Sequence, residues 1–225
     1  MLLHIEGVLD AATVARMRAK LEAAEWIDGR ETVGPQGARV KRNLQLSDAS
    51  PLKAELGREV LTACARHADF HAATLPVRIL PPRFNRYADG GCYGPHVDGA
   101  VMALADGSQL RSDIACTVFL ADPDSYDGGE LVVDDTWGEH EVKLPAGDAI
   151  VYPASSLHRV EPVTRGARVA AFFWIQSLVR DDARRRILLQ MDAAIRRLTA
   201  GGADATAIRE LSGVYHNLLR QWSAT

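Results

Sequence analysis

The stretch AIVYPASSLHRVEPVTRGARVAAFFWI, residues 149–175, holds two runs rich in β-branched and aromatic residues, Ala149–Tyr152 and Arg168–Ile175. Between them lies Thr164-Arg165-Gly166, whose glycine admits a tight reversal, so the segment reads as strands joined by turns. The same grammar extends upstream through Val77–Leu80, Arg83–Tyr87, Ile114–Leu120, Glu130–Val133 and Glu139–Leu144. Asp89-Gly90-Gly91, Asp127-Gly128-Gly129 and Pro145-Ala146-Gly147-Asp148 separate these runs. Many short strands without helices between them predict an antiparallel sandwich, jelly roll or barrel over roughly residues 77–178.

Helical periodicity flanks this core. Asp10 can cap a helix carrying Val14, Met17, Leu21 and Ala24, ended by the Gly/Pro-containing stretch from Asp28 to Gly37. A second helix follows Ser50-Pro51, with Leu52, Leu56, Val60 and Ala63 in one stripe. After Asp181, Ile187, Met191, Ala194 and Leu198 recur at helical spacing, Gly201-Gly202 interrupts, and Ile208, Leu211, Tyr215, Leu218 and Trp222 continue. The organisation expected is one domain over 1–179 and a helical hairpin over 180–225, docked on the sheet or available for homo-oligomer contacts. Arg184, Arg185, Arg186, Arg196 and Arg197 read as the hairpin's solvated face.

The 26 basic and 29 acidic residues give a net charge of −3, against bulk attraction to nucleic acid or anionic lipid. The longest apolar run, Val169–Ile175, falls far short of the roughly 18 residues a membrane helix needs. No basic segment with an apolar core opens the chain, so a cytoplasmic location is expected. Cys64, Cys92 and Cys116 form no CxxC pair and read as reduced thiols.

Two His-x-Asp triplets occur. His67-Ala68-Asp69 closes a predicted helix, where residues two apart diverge around the axis; His67 and His71 there suit exposure or capping. His96-Val97-Asp98 follows a turn-rich segment, and in extended backbone positions i and i+2 share a face. An imidazole and a carboxylate then converge, and His158 is the best second imidazole, completing a facial set for an octahedral metal. Pairing the two runs about Arg165 turns the even-numbered His158 and Arg168 inward on one hairpin, offset by about four residues or roughly 13 Å. A buried Arg168 would seek a carboxylate; the alternative is an exposed edge arginine with a surface acid. Cys92 could instead join His96, Asp98 and His158 in a closed zinc site. His4, His140 and His216 have no metal-ligand partner at useful spacing and read as surface or structural.

Ala38–Leu46 alternates apolar and polar residues as an edge strand, presenting Arg39, Lys41 or Asn43 to a cavity or, as charged edges commonly do, to solvent. Gly99 to Ser112 reads as a flexible segment, a lid or a passive connector.

Asn85-Arg86-Tyr87, Tyr93, His96-x-Asp98, His158 and Arg168 together resemble the iron(II)/2-oxoglutarate-dependent dioxygenases of the prolyl 4-hydroxylase-like group. Gly128-Gly129-Glu130-Leu131, the Pro145–Pro153 segment and the C-terminal helical hairpin resemble the bacterial PKHD-type hydroxylases. The resemblance implies a double-stranded β-helix in which His96, Asp98 and His158 ligate iron and Arg168 holds the distal carboxylate of 2-oxoglutarate. Tyr87 matches a tyrosine that can hydrogen-bond this cosubstrate, or it is a core aromatic. The implied activity is hydroxylation of a small-molecule or peptidyl substrate with release of succinate and carbon dioxide, L-ascorbate serving as accessory reductant. The competing reading is a non-catalytic jelly-roll sensor that binds a metal or anion.

Overall fold

The computed structural model describes residues 1–104 and 106–224. The chain begins with β1 (Leu3–Ile5), α1 (Ala11–Glu22), β2 (Ile27–Asp28), α2 (Pro35–Val40), β3 (Lys41–Arg42), β4 (Leu44–Gln45), α3 (Pro51–Arg66) and α4 (Ala68–Thr74). The core follows as β5 (Pro76–Ile79), β6 (Arg83–Ala88), β7 (Cys92–His96), β8 (Val101–Ala103), β9 (Gln109–Arg111) and β10 (Ile114–Phe119). It continues with β11 (Asp127–Gly128), β12 (Leu131–Asp135), β13 (Gly138–Val142), β14 (Ala149–Pro153), β15 (His158–Val160), β16 (Val163–Arg165) and β17 (Ala167–Ser177). Helices α5 (Asp182–Ala200) and α6 (Ala205–Trp222) close the chain.

Two antiparallel sheets make the predicted jelly roll. One runs β1-β14-β10-β17-β6-β4-β2, with β5 also on β17, and the other runs β13-β12-β15-β7-β3. Both faces of β17 are covered: Arg168, Ala170, Phe172 and Trp174 alternate with Val169, Ala171, Phe173 and Ile175. The second set meets the helices, since Phe173 and Cys116 share a core cluster with Met17, Leu56, Val60, Cys64 and Phe70. Phe70 and Phe173 lie with ring centres 6.3 Å apart. Asp10 caps α1, accepting from the Thr13 N–H at 2.7 Å, and Val14, Met17 and Leu21 are its buried face.

The hairpin about Arg165 does not form. β17 is flanked by β10 on one side and β6 on the other along its first half, which leaves no edge there for β15. Strand β15 pairs with β12 and β7, while β16 pairs with β11. His158 and Arg168 therefore project from opposite sheets toward a shared interior. Two glycines permit the crossover. Gly128, at φ +73°, lies so near the Pro162 carbonyl that a Cβ would sit 2.0 Å from its oxygen, and Gly129, at φ +70°, abuts Val163, Tyr126 and Arg168.

Three other segments differ from expectation. Ala38–Val40 is the end of α2, so only Lys41–Arg42 and Leu44–Gln45 are extended. Residues 99–112 contain the ordered hairpin β8–β9, tied down by the Ser112 hydroxyl donating to Gly99 O at 2.5 Å and by Arg78 donating to Gln109 O at 3.2 Å. The C-terminal hairpin docks on α4 and the Leu178–Val179 connection rather than on a sheet. Leu188 is buried there, whereas Ile187 and Leu198 of the predicted stripe are exposed. Arg185 is buried as well, donating to the carbonyls of Val179 at 2.7 Å and Arg180 at 2.8 Å, so it leaves the solvated face. No helix is long and apolar enough to cross a membrane among the described residues.

Candidate active site

His158 and His96 are directly paired across β15 and β7, so their side chains leave the same face side by side. Asp98 follows two residues beyond His96, past the end of β7. The three residues bring one donor atom each within 4.8 Å of one another. Cys92, at the far end of β7, is not in this group, and neither are His67 or Asp69; the closed zinc site does not form. His67 instead caps α4 and its Nε2 lies 3.0 Å from the Glu6 carbonyl. His4 and His140 meet Asp148 and Asp135 at 2.7 and 3.0 Å, away from this cluster.

Each imidazole is held through one ring nitrogen. Nδ1 of His96 is 2.9 Å from Gly94 O and Nδ1 of His158 is 3.0 Å from Ser156 O. A carbonyl only accepts, so each Nδ1 carries the proton and each Nε2 keeps its lone pair. Those Nε2 atoms face the Asp98 carboxylate at 3.9 and 3.8 Å. Burial holds His96 down to about 4, with His158 adding to the effect, which keeps the ring neutral. Burial raises the Asp98 carboxyl, opposed by His158 and by the Trp174 indole, whose Nε1–H donates to Oδ2 at 2.8 Å. Tyr93 stacks on His96 at 3.6 Å between ring centres, and Tyr152 meets His158 edge-on at 5.2 Å.

Arg168 comes from the facing sheet, where it is paired with Tyr87. It is 1 % exposed, and its Nε and Nη1 have no hydrogen-bond partner. Its guanidinium carbon lies 5.4 Å from the Tyr87 ring centre and 5.2 Å from that of Phe119. A cation so enclosed is costly unless an anion meets it, which rules out the exposed edge-arginine reading. Tyr87 is buried, its hydroxyl pushed up to about 12 by desolvation, so it stays protonated and can donate.

Sheet and site enclose one cavity of about 1020 Å³, lined by the metal-competent triad, Arg168 and Tyr87. Residues between 32 and 43 form part of its wall; of the three candidates on the expected Ala38–Leu46 edge, Lys41 and Asn43 turn inward, at 5 % and 7 % exposure, while Arg39 faces solvent. Burial, with Arg83 adding to it, lowers the Lys41 ammonium to about 8. Trp174 also lines the cavity. Its even-numbered parity with Arg168 places it inward, yet nothing in the sequence links its indole to Asp98.

Facing antiparallel sheets that enclose a His-Asp-His cluster and a buried arginine define a metal-dependent oxygenase of the jelly-roll class. Residues 82–176 match the 2OG-Fe(II) oxygenase superfamily, and residues 182–224 match the PKHD-type hydroxylase C-terminal domain. A PKHD-type hydroxylase of Stenotrophomonas maltophilia (strain R551-3) is 65 % identical over 223 residues, covering 99 % of each chain. One from Xylella fastidiosa (strain M23) is 60 % identical over 230 residues, covering both chains fully. The chain belongs to the PKHD-type hydroxylases and is an enzyme, so the sensor reading falls away. Its fold is that of a Pseudomonas putida prolyl-4-hydroxylase, with TM-score 0.52, 19 % identity, and 78 % of this chain and 92 % of that one covered. HygX from Streptomyces hygroscopicus, solved with nickel, 2-oxoglutarate and hygromycin B, aligns at TM-score 0.53 and 18 % identity, covering 78 % of this chain and 82 % of that one.

Proposed function

We propose that this enzyme hydroxylates a substrate using iron(II) and 2-oxoglutarate, with release of succinate and carbon dioxide. The observation that carries the reading is the pairing of three convergent donors on one sheet with an unpartnered, buried guanidinium on the other. The donor set fits a ferrous ion: two imidazole nitrogens whose lone pairs point inward, one carboxylate already oriented by an indole, and no fourth His, Cys, Asp or Glu among the described residues of the cluster.

His96, Asp98 and His158 would hold the metal through Nε2, a carboxylate oxygen and Nε2. When bound, iron(II) supplies the dioxygen chemistry that couples oxidative decarboxylation of the 2-oxoglutarate to hydroxylation. Arg168 would receive the distal carboxylate of that cosubstrate in a charge-assisted contact, with the Tyr87 hydroxyl donating beside it. Phe172 and Trp174, inward on the same strand, exclude water from the space between. Ascorbate as accessory reductant, a cytoplasmic location and a small-molecule or peptidyl substrate belong to the same proposal, which gives no role to nucleic acid or membrane; self-association would run through α5 and α6.

Mixing the protein anaerobically with iron(II) and 2-oxoglutarate should give a metal-to-ligand charge-transfer band, and air should then yield succinate. A protein that retains iron yet shows neither band nor succinate would overturn the reading.

A further inference from the structure

The cavity carries more positive charge than the proposed chemistry uses. Lys41, Arg83 and Arg168 line it, against Asp98 as the one carboxylate among the described residues of its wall. Arg83 is paired at the surface with Asp48, at 3.1 Å. A divalent metal and Arg168 balance Asp98 and the two carboxylates of 2-oxoglutarate, so Lys41 is left over.

Lys41 is 5 % exposed; its ammonium donates to the neutral acceptors Thr32 Oγ1 and Gln45 Oε1, each at 3.1 Å, and lies 5.2 Å from the Tyr93 ring centre. It has no carboxylate within 4.0 Å among the described residues. Around it stand more unanswered polar atoms: both amide atoms of Asn43, Nε2 of Gln45 and Oδ1 of Asn85 are buried without a partner. Asn43 and Asn85 line the cavity, at 7 % and 6 % exposure. Buried polar groups are nearly always paired in the working state. An ammonium without a carboxylate partner, together with the orphaned amide atoms of Asn43 and Asn85 in the cavity lining, describes a binding surface awaiting a ligand with an anionic acceptor and with polar groups for the amides.

Lys41 itself stands on the sheet opposite Arg168, whereas Asn85 shares β6 with Tyr87 and pairs with Ala170 of β17. Lys41 is paired with Tyr93, the residue stacked on His96, and so belongs to the five-stranded sheet that carries the proposed metal ligands. Near the opening the lining becomes apolar: Val40 and Val97 are 40 % and 53 % exposed and border the same space.

We propose that Lys41, with Asn43 and Asn85, recognises the prime substrate, and that this substrate is a small organic acid with an anionic oxygen group and an apolar body. The inference rests on the iron and 2-oxoglutarate reading for its charge balance. Lys41 is then a specificity residue: its ammonium meets the substrate's anion, the two asparagines supply neutral donors and acceptors beside it, and the apolar rim covers the remainder.

Benzoate and its neutral isostere benzamide are suitable probes, titrated by calorimetry into the full-length protein, both alone and anaerobically with iron(II) and 2-oxoglutarate. Wild type should prefer benzoate. Lys41→Met should weaken benzoate by about tenfold or more while leaving benzamide unchanged. The affinity for 2-oxoglutarate, read from the charge-transfer band, should not move. Lys41→Gln retains a hydrogen-bonding head without charge and should behave like Lys41→Met toward benzoate with a Tm close to wild type. Benzoate binding indifferent to residue 41, no preference for benzoate in wild type, or an equal loss of 2-oxoglutarate affinity would each overturn the proposal. Failure of both variants to fold would mark Lys41 as a strap between the sheets and overturn it too. If wild type gives no charge-transfer band, the iron and 2-oxoglutarate reading fails separately, and benzoate titration of the protein alone still decides the role of Lys41.

Discussion

His158 and Arg168 stand ten residues apart in the chain yet on opposite sheets, and their surroundings differ in kind. Among the three clustered donors each group already has its inner partner: each imidazole Nδ1 donates to a carbonyl and the Asp98 carboxylate accepts from Trp174. On the larger sheet Arg168 has unpartnered nitrogens in a dry setting of Tyr87 and Phe119. The His-Asp-His cluster is preorganised for a cation, whereas Arg168 is destabilised until an anion arrives. The lesson is that metal binding and cosubstrate binding should be separable by mutation, although the residues responsible are close in sequence.

The largest effect is expected for His158→Ala. Loss of one of the three proposed ligands should abolish stoichiometric iron retention and succinate formation, measured by metal analysis and product assay, with the far-ultraviolet spectrum preserved. Arg168→Ala should keep iron and weaken 2-oxoglutarate by about 1.5 to 3 kcal/mol, roughly ten- to a hundredfold, in a charge-transfer titration. Equal loss of iron in both variants would break the division between the sheets. Trp174→Phe removes the donor to Asp98 while keeping an aromatic wall; iron affinity should fall about tenfold and 2-oxoglutarate affinity should follow only as far as the metal does.

Smaller effects test the scaffold. Gly129→Ala forces a side chain into positive φ and toward Val163 and Arg168, and should cost about 1 to 3 kcal/mol in denaturant unfolding, with weaker 2-oxoglutarate binding. Trp222→Ala, in the half-buried C-terminal helix, should cost about 1 kcal/mol and leave the charge-transfer band untouched. A change in the band there would mean that the hairpin reaches the site.

The comparison also marks how far local pattern carries. The core strands were legible because turn chemistry and β-branched runs alternate from Val77 onward, and Asp10 and Ser50-Pro51 announce their helices through backbone requirements that need no distant partner. His96 and Asp98 could be read as convergent because strand parity is local. The docking face of α5 was not legible: its sequence offers apolar residues at several angles, and Leu188 rather than Ile187 is buried because α4 lies on that side. Arg185 turns inward for a related reason, its guanidinium donating to the Val179 and Arg180 carbonyls of the connection that precedes the helix.

By itself the sequence determined the antiparallel class, the flanking helices and the residue types of the candidate site, since periodicity, capping and metal-ligand chemistry act over a few residues. Only the tertiary structure decided which sheet owns His158, that Trp174 steers Asp98, and that Lys41 is enclosed rather than solvated. Those outcomes depend on which strand edges are already occupied and on what packs across the interior, and both are settled by contacts between segments far apart in the chain.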